Sequence, residues 1–495
     1  MGYVNLLITL AVAAIAATLA YYAWDAATLL RRIPKVYKSN DDLPKETEVA
    51  QAWTSSIFLP KAENSFKRIA VGVNGNVDLI VKGSKLMMML DANSNTSKEQ
   101  SFDHSSLRSI KDLQETFKYY LSKGAGGERY MDTFEEFHKV LTVAKNIPST
   151  EYFIGGNGAL MAQKLAVMMP DDGKVLLGVP VGPILKPLLH PLLVVPDKLL
   201  VNDDEYHMIL EYAKGEKWAG SEAPIASRFI FSHDKSNSQM TAVETFLTSL
   251  KQFQADLIVL SGFHLLESNE SHFWKRRLAE ISAQLKSIAK NIPIHVELAS
   301  MANTNCMEEI LKQVLPVVDS LGLNEQELWM VCQIGGGPHC TGKDLSAPPS
   351  IPITADILHW MIEKYGNDGS RLTRIHFHTL PYHIAVVNDT SSWKNQASSV
   401  AAGTRIASTQ ACDDLDGLKP HKMELRVSGD IQLSAQPDVN LKPVTFDPKN
   451  PIVSWQRSRA MFHFSPVLVC RKPIKTVGLG DSISAVGLYY SGYER

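Results

Sequence analysis

Basic residues are missing where an export signal usually carries them: residues 1–24 contain no Lys, Arg or Glu, and the first acid is Asp25. Arg31, Arg32, Lys35 and Lys38 follow the apolar run instead, which leaves a cleaved signal and a retained anchor both open. Val4 to Trp24 has the length a helix needs to span a bilayer. We therefore expect residues 1–25 to be a signal peptide or membrane anchor, 26–60 a linker and 61–495 the working body. Beyond residue 45 no second uncharged run of that length occurs, so the body is expected to be a soluble globule.

Cysteine is scarce too. The five present form no CxxC, which removes zinc ribbons and thioredoxin-like motifs. An exported chain can oxidise a pair, and Cys412 and Cys470, both in the last quarter, are the two expected to bridge. The sequons at Asn95, Asn269 and Asn388 matter only if the body enters the secretory lumen. A net charge of −2 gives no reason to expect nucleic acid as a partner. Neither an ordered GxGxxG nor an internal repeat is found, and the near-P-loop Gly337–Lys343 is one residue short. There Asp344 stands where Ser or Thr must ligate Mg²⁺, and Pro338 removes a backbone donor.

What the chain does have is alternation. β-rich runs such as Arg68–Val73, Asp256–Ser261, Ile294–Leu298, Pro316–Asp319 and Arg374–His378 alternate with helical-period segments such as Met240–Gln252, Ser271–Lys290 and Ala355–Lys364. Strand, helix, strand implies an α/β fold with a parallel sheet, and such sheets bind ligands at the carboxyl ends of their strands. A body of this length exceeds one ordinary core and suggests a main domain with a smaller one.

The strand ends carry the chemistry. Asn74-Gly75-Asn76-Val77-Asp78 gathers short donors and acceptors suited to a polyhydroxylated ligand, although Asn74-Gly75 also reads as a hairpin turn. Gly155-Gly156-Asn157 enters a helix with an amide where backbone approaches a ligand. His295-Val296-Glu297 ends a strand, and Asn324-Glu325-Gln326-Glu327 opens a helix after an expected turn at Asp319–Gly322. These acids suit a hydrated Mg²⁺, while Asn324 with Glu327 also fits a capping box. His376 and His378 share one strand face without an obvious third zinc ligand, so core or nucleotide-pocket positions are expected for them. Near the end, Gly478-Leu479-Gly480-Asp481 leads into a helix whose free N–H groups suit an anion. Asp481 is placed to accept a proton from an attacking alcohol, or else is an N-cap.

Taken in order, the Asn74–Asp78, Gly155–Asn157, His295-x-Glu297, Asn324-x-x-Glu327 and Gly478-x-Gly480-Asp481 motifs resemble the ADP-dependent glucokinases, sugar kinases of the ribokinase superfamily. The apolar N-terminus and the length resemble the animal form associated with the endoplasmic reticulum, with secretion as the second choice. The resemblance implies a ribokinase-like α/β/α core with a mostly parallel sheet, plus a smaller α/β lid drawn from residues 75–250. It implies transfer of the β-phosphoryl group of ADP to the 6-hydroxyl of D-glucose, giving glucose 6-phosphate and AMP as a glycolytic entry step. One Mg²⁺ per site and a monomer are expected.

Carried over by position, Asp481 matches the catalytic base and, with Glu297 and Glu327, the metal-associated acids, while Gly478 and Gly480 match the anion hole. Asn74, Asn76, Asp78, Gly155, Gly156 and Asn157 match the sugar end. Glu128 resembles a lid glutamate and Arg228 a phosphate-contacting arginine. The adenine pocket is expected around His376–His383 and the segment before Asp481. The rival readings are a weak carbohydrate-binding pseudokinase, another sugar kinase of the superfamily, and a membrane-tethered structural ectodomain. Retention of all three acids argues for activity.

Overall fold

Only Val73, Asn74 and Gly75 lie between β1 (Arg68–Gly72), in a ten-stranded sheet, and β2 (Asn76–Lys82), in a five-stranded one. The Asn74-Gly75 step is therefore a crossing between sheets, not a hairpin. In this computed structural model the described residues are 43–91, 101–299, 301–340, 350–367, 369–413, 417–427, 429–474 and 477–494. The apolar N-terminal run, the Asn95 sequon and the Gly342–Asp344 part of the near-P-loop lie outside them.

Along the chain, β3 (Gly127–Tyr130) and β4 (Glu151–Gly155) join the smaller sheet, and β5 (Lys174–Gly178) and β6 (Leu193–Val194) the larger. Then β7 (Tyr206–Tyr212) and β8 (Ser227–Ser232) return to the smaller sheet. The larger sheet is completed by β9 (Leu257–Leu260), β10 (Ile294–Glu297), β11 (Ser320–Leu323), β12 (Arg374–His378), β13 (Tyr382–Asn388), β14 (Val453–Arg457) and β15 (Ala460–Pro466). Its order is β14-β15-β13-β12-β11-β10-β9-β1-β5-β6, with parallel pairing from β6 to β12 and antiparallel pairing beyond. The smaller sheet runs β3-β8-β7-β2-β4.

Period-two alternation explains the layering. Ile69, Val71, Val175, Leu177, Leu257 and Val259 enter one core, while Ala70, Leu176, Ile258 and Leu260 enter another. Both faces of the larger sheet are thus apolar and must be covered, which is why its strands read as continuous hydrophobic runs. Five helices matter below: α1 (Lys45–Ser56), α2 (Asn157–Met168), α3 (Glu325–Gly335), α4 (Gln396–Ala411) and α5 (Leu479–Tyr490). Residues of α2 and α5 pack into the first core and residues of α3 into the second.

Three expectations fail here. Residues 45–56, expected within the linker, form helix α1, whose Val49 and Trp53 are fully buried. The Trp53 indole donates to Ser465 Oγ at 3.1 Å, so two side chains four apart anchor a helix that otherwise reads as polar. Pro316–Asp319 is not a strand; Leu315–Val317 is a 3-10 turn, and the strand begins at Ser320. The Asp319 carboxylate accepts from Ile294 N–H at 2.8 Å and from Arg371, fixing the strand entry where a turn was expected. Gly322 is needed within β11, because a Cβ there would overlap Glu297 Oε2.

The Cys412–Cys470 bridge forms, with Cα atoms 5.5 Å apart, and a second bridge joins Cys332 to Cys340 across 6.0 Å. No helix of the described residues is long and apolar enough to cross a membrane.

Candidate active site

Helix α5 begins where Gly478 adopts a left-handed conformation (φ 63°) that a side chain would resist, so Gly478, not Asp481, is the N-cap. Asp481 follows in the first turn, buried at 6% exposure. Burial pushes its carboxyl up to about 7, Glu297 adds to the rise, and a hydrogen bond from Asn157 opposes it. A carboxyl held there exchanges protons at physiological pH, which an exposed cap does not. Gly480 lies against His378, whose Cε1 is 3.2 Å from the position a Cβ would take.

Asp481 is tied to the first two motifs by amides. Asn157 Nδ2 donates to Asp481 Oδ1 at 2.8 Å, and Asn74 Nδ2 donates to Asn157 Oδ1 at 3.4 Å. Asn74 Oδ1 in turn accepts from Gly158 N–H at 2.8 Å and Ser261 Oγ at 3.0 Å. The exits of β1, β4 and β9 are thereby fixed around one carboxylate.

The smaller sheet supplies the opposite wall. Along β2, Val77, Leu79 and Val81 enter the core, so Asp78 faces the other way; in β7, Tyr206, Met208, Leu210 and Tyr212 do the same for His207 and Ile209. Asp78 pairs in register with His207, and Ile230 of β8 with both Ile209 and Glu128. Together with Asn74, Gly156, Asn157, Arg228, His264, Gly478 and Asp481 these residues enclose a cavity of about 180 Å³.

Asn76 and Gly155 stand behind this wall rather than in it. Asn76 Nδ2 donates to Asp78 Oδ1 at 2.7 Å, and a Cβ at Gly155 would overlap the same oxygen. Both therefore position Asp78, whose pKa burial raises against the pull of His207. Glu128 and Arg228 line the same cavity as Asp78.

His207 and His264 were not singled out by any motif. Burial would lower the His207 pKa, but a 3.0 Å hydrogen bond to Asp234 and the charges of Glu128 and Asp78 outweigh it and lift it to about 9. His207 is thus an imidazolium facing carboxylates. Burial holds His264 neutral, at about 4, and its Nδ1 has no hydrogen-bond partner among the described residues.

The remaining acids lie at the end of β10 and in the first turn of α3. Glu297 Oε1 accepts from His378 Nε2 and Oε2 from His295 Nε2, each at 3.1 Å. Burial disfavours its charge, yet the two imidazoles overcome that and hold its pKa at about 2. Glu327 completes the capping box, accepting from Asn324 N–H at 2.6 Å through Oε2, while its Oε1 is buried without a partner among the described residues. Burial raises its pKa to about 7. The capping box expected of Asn324 and Glu327 is formed, and it uses only one of the two Glu327 oxygens.

Among the described residues no three His, Cys, Asp or Glu side chains converge as a direct metal-ligand set. His376 and His383 are wholly buried, with their rings 5.7 Å apart, so His376 takes the core position that was one of the two expected for it. A second cavity, of about 510 Å³, meets the first at Leu160, Val477 and Gly478 and extends between α2, α4 and α5.

The profile of the ADP-specific phosphofructokinase/glucokinase conserved region matches residues 67–490. The chain is 43% identical over 450 residues to an ADP-dependent glucokinase of Bos taurus, covering 90% of this chain and 88% of that one. It is 38% identical over 461 residues to a probable ADP-dependent glucokinase of Caenorhabditis elegans, covering 91% and 90%. Among solved structures, an ADP-dependent kinase in complex with fructose 6-phosphate and ADPβS superposes with a TM-score of 0.61 at 19% identity, covering 91% of this chain and 98% of that one. That likeness establishes the fold.

Proposed function

This chain belongs to the ADP-specific phosphofructokinase/glucokinase family, and from that premise we propose that it transfers the β-phosphoryl group of ADP to the 6-hydroxyl of D-glucose. The products are glucose 6-phosphate and AMP. The observation that carries the reading is the buried carboxyl of Asp481, in the first turn of a glycine-capped helix and hydrogen-bonded to Asn157 on the wall of a polar cavity.

In this reading the sugar occupies the cavity of about 180 Å³, met by Asn74, Asp78, Glu128, Asn157 and His207. Carboxylates, amides and an imidazolium offer both acceptors and donors to a ring that carries hydroxyls all round. Asp481 takes the 6-hydroxyl proton as its oxygen bonds to the β-phosphorus and the bond to AMP breaks. Free N–H groups at the start of α5 lie beside Asp481, where the transferred group's charge would collect, and Arg228 is placed to neutralise phosphate. The donor enters past Val477 and Gly478.

Mg²⁺ is part of the proposal. The unpartnered Oε1 of Glu327 and the ionised Glu297, with Asp481 beyond them, suit an ion held through its own waters better than a closed cage. When bound, it neutralises charge on the diphosphate. The smaller sheet acts as a lid, closing over the sugar to keep water from the phosphoryl group. We place the enzyme at the endoplasmic reticulum through residues 1–25, supported by that apolar run and by two disulfides suited to an oxidising compartment.

AMP release from ADP, measured with and without glucose, tests the function. Glucose-dependent AMP formation is expected, and glucose binding without AMP would instead support the pseudokinase.

A further inference from the structure

One side chain bolts together two of the segments that pass between the sheets. Asn237, on the single helical turn Lys235–Ser238, accepts Gly75 N–H through Oδ1 at 3.1 Å and donates from Nδ2 to Gly75 C=O at 3.1 Å. Gly75 belongs to the β1–β2 crossing, whereas Asn237 belongs to the return from β8 towards β9. A primary amide here satisfies both backbone groups of one residue, as a neighbouring strand would. Asn237 is 1% exposed, so this pairing is made away from solvent.

The far side of Asn237 leads to the sugar cavity. Its N–H donates to Asp234 Oδ1 at 2.8 Å, and its Nδ2 also contacts Asp234 Oδ2. Asp234 Oδ2 meets His207 Nε2 at 3.0 Å, and His207 lines the cavity. A hydrogen-bonded path thus runs from His207 through Asp234 and Asn237 to Gly75, flanked by Asn74 on one side and Asn76, which holds Asp78, on the other.

We propose that Asn237 is a positioning residue for the sugar. With Asp234 it orients His207 towards the ligand, and by pairing Gly75 it sets the spacing at which Asn74, in the crossing just past the end of β1, and Asp78, on β2 of the smaller sheet, meet the same molecule. This rests on the sugar-kinase reading. Asn237 contacts neither Asp481 nor the Gly478 turn in any hydrogen bond described, so its effect falls on sugar affinity before donor affinity. Removing its side chain leaves two buried backbone groups of Gly75 unpaired and takes one partner from the Asp234 carboxylate, which keeps the Asn237 N–H and His207.

The test uses Asn237→Ala, Asn237→Asp and Asp234→Asn in the full chain, with melting temperatures, steady-state kinetics, and glucose binding by calorimetry without nucleotide. Asn237→Asp keeps the acceptor for Gly75 N–H but loses the donor and sets a carboxylate against Asp234. Should Asn237→Ala not fold, the two near-isosteric variants carry the comparison. The expected result is a glucose Kd and KM raised about tenfold or more, with KM for ADP within about twofold of wild type and kcat falling less than KM rises. Folded variants with unchanged glucose affinity, or with sugar and ADP constants worsening equally, would overturn the positioning role. Wild-type protein that binds glucose without forming AMP would overturn the kinase reading while the calorimetric comparison still decided the role of Asn237.

Discussion

Asn157 and Asp481 lie 324 residues apart in sequence, yet the Asn157 amide donates to the Asp481 carboxylate at 2.8 Å, and the same Asn157 lines the cavity of about 180 Å³. In the proposed mechanism one amide therefore touches the proton acceptor and stands beside the molecule that gives up the proton. Because its hydrogen bond favours the ionised form, it restrains a carboxyl that burial alone would push higher.

Removing that restraint has a defined sign. With Asp481 as base, kcat/KM for glucose should rise with pH and level off above about 7. In Asn157→Ala the acid limb should move to higher pH, because the bond that lowers the Asp481 pKa is gone. A pH–rate profile of the variant that keeps the wild-type limb would detach Asn157 from the base.

Stability should respond in the opposite sense. The folded pKa of Asp481, at about 7, lies above its ordinary 3.8, so the folded chain binds the extra proton between those values and loses stability as pH rises through them. Asp481→Asn removes the ionisation. Its melting temperature should equal or exceed that of wild type at pH 8, with the difference shrinking at pH 5. A variant clearly less stable than wild type at pH 8 would show that the carboxylate is held by favourable contacts instead.

The two glutamates proposed to position Mg²⁺ should behave differently. Glu327→Gln preserves the capping box, since Gln serves as well as Glu at that position, so its melting curve should barely move while the Mg²⁺ half-saturation rises about 10–100-fold. Glu297→Gln leaves His378 without its counter-charge, and breaking a buried pair typically costs about 3–5 kcal/mol. Thermal melts beside Mg²⁺ titrations separate the two. Equal melting losses would contradict the division of labour.

Non-reducing peptide mapping should recover Cys412 linked to Cys470 and leave Cys306, which is fully buried, as a thiol. The bridge spans 58 residues, and Cys470→Ser should lower stability by about 2–4 kcal/mol in a denaturant titration. Recovery of both cysteines as free thiols would exclude the bridge.

Residues grouped in short motifs at strand ends were legible in the sequence. Gly478–Asp481, Asn74–Asp78 and Gly155–Asn157 announce themselves because glycine and amides interrupt apolar runs. His207 was missed because it stands alone, although Tyr206-x-Met208-x-Leu210-x-Tyr212 alternates strongly enough to turn it away from the core. His264, Asp234 and Asn237 are brought to the cavity or behind it by the packing of separate segments, and nothing local marks them. Ser320–Leu323 was misplaced because Pro316-Val-Val looks like a strand while its proline supports a 3-10 turn. Helix α1 read as linker because three buried side chains in twelve residues carry little periodicity.

The most direct test of the account is the turnover of Asp481→Asn beside its folding and its binding of glucose and ADP. Asparagine keeps the shape and still receives Asn157 through its carbonyl, but it cannot take a proton. The account predicts a folded variant that binds both ligands and forms AMP about 10²–10⁴-fold more slowly than wild type. A well-folded Asp481→Asn enzyme with more than about a tenth of wild-type turnover would contradict the assignment of Asp481 as the base.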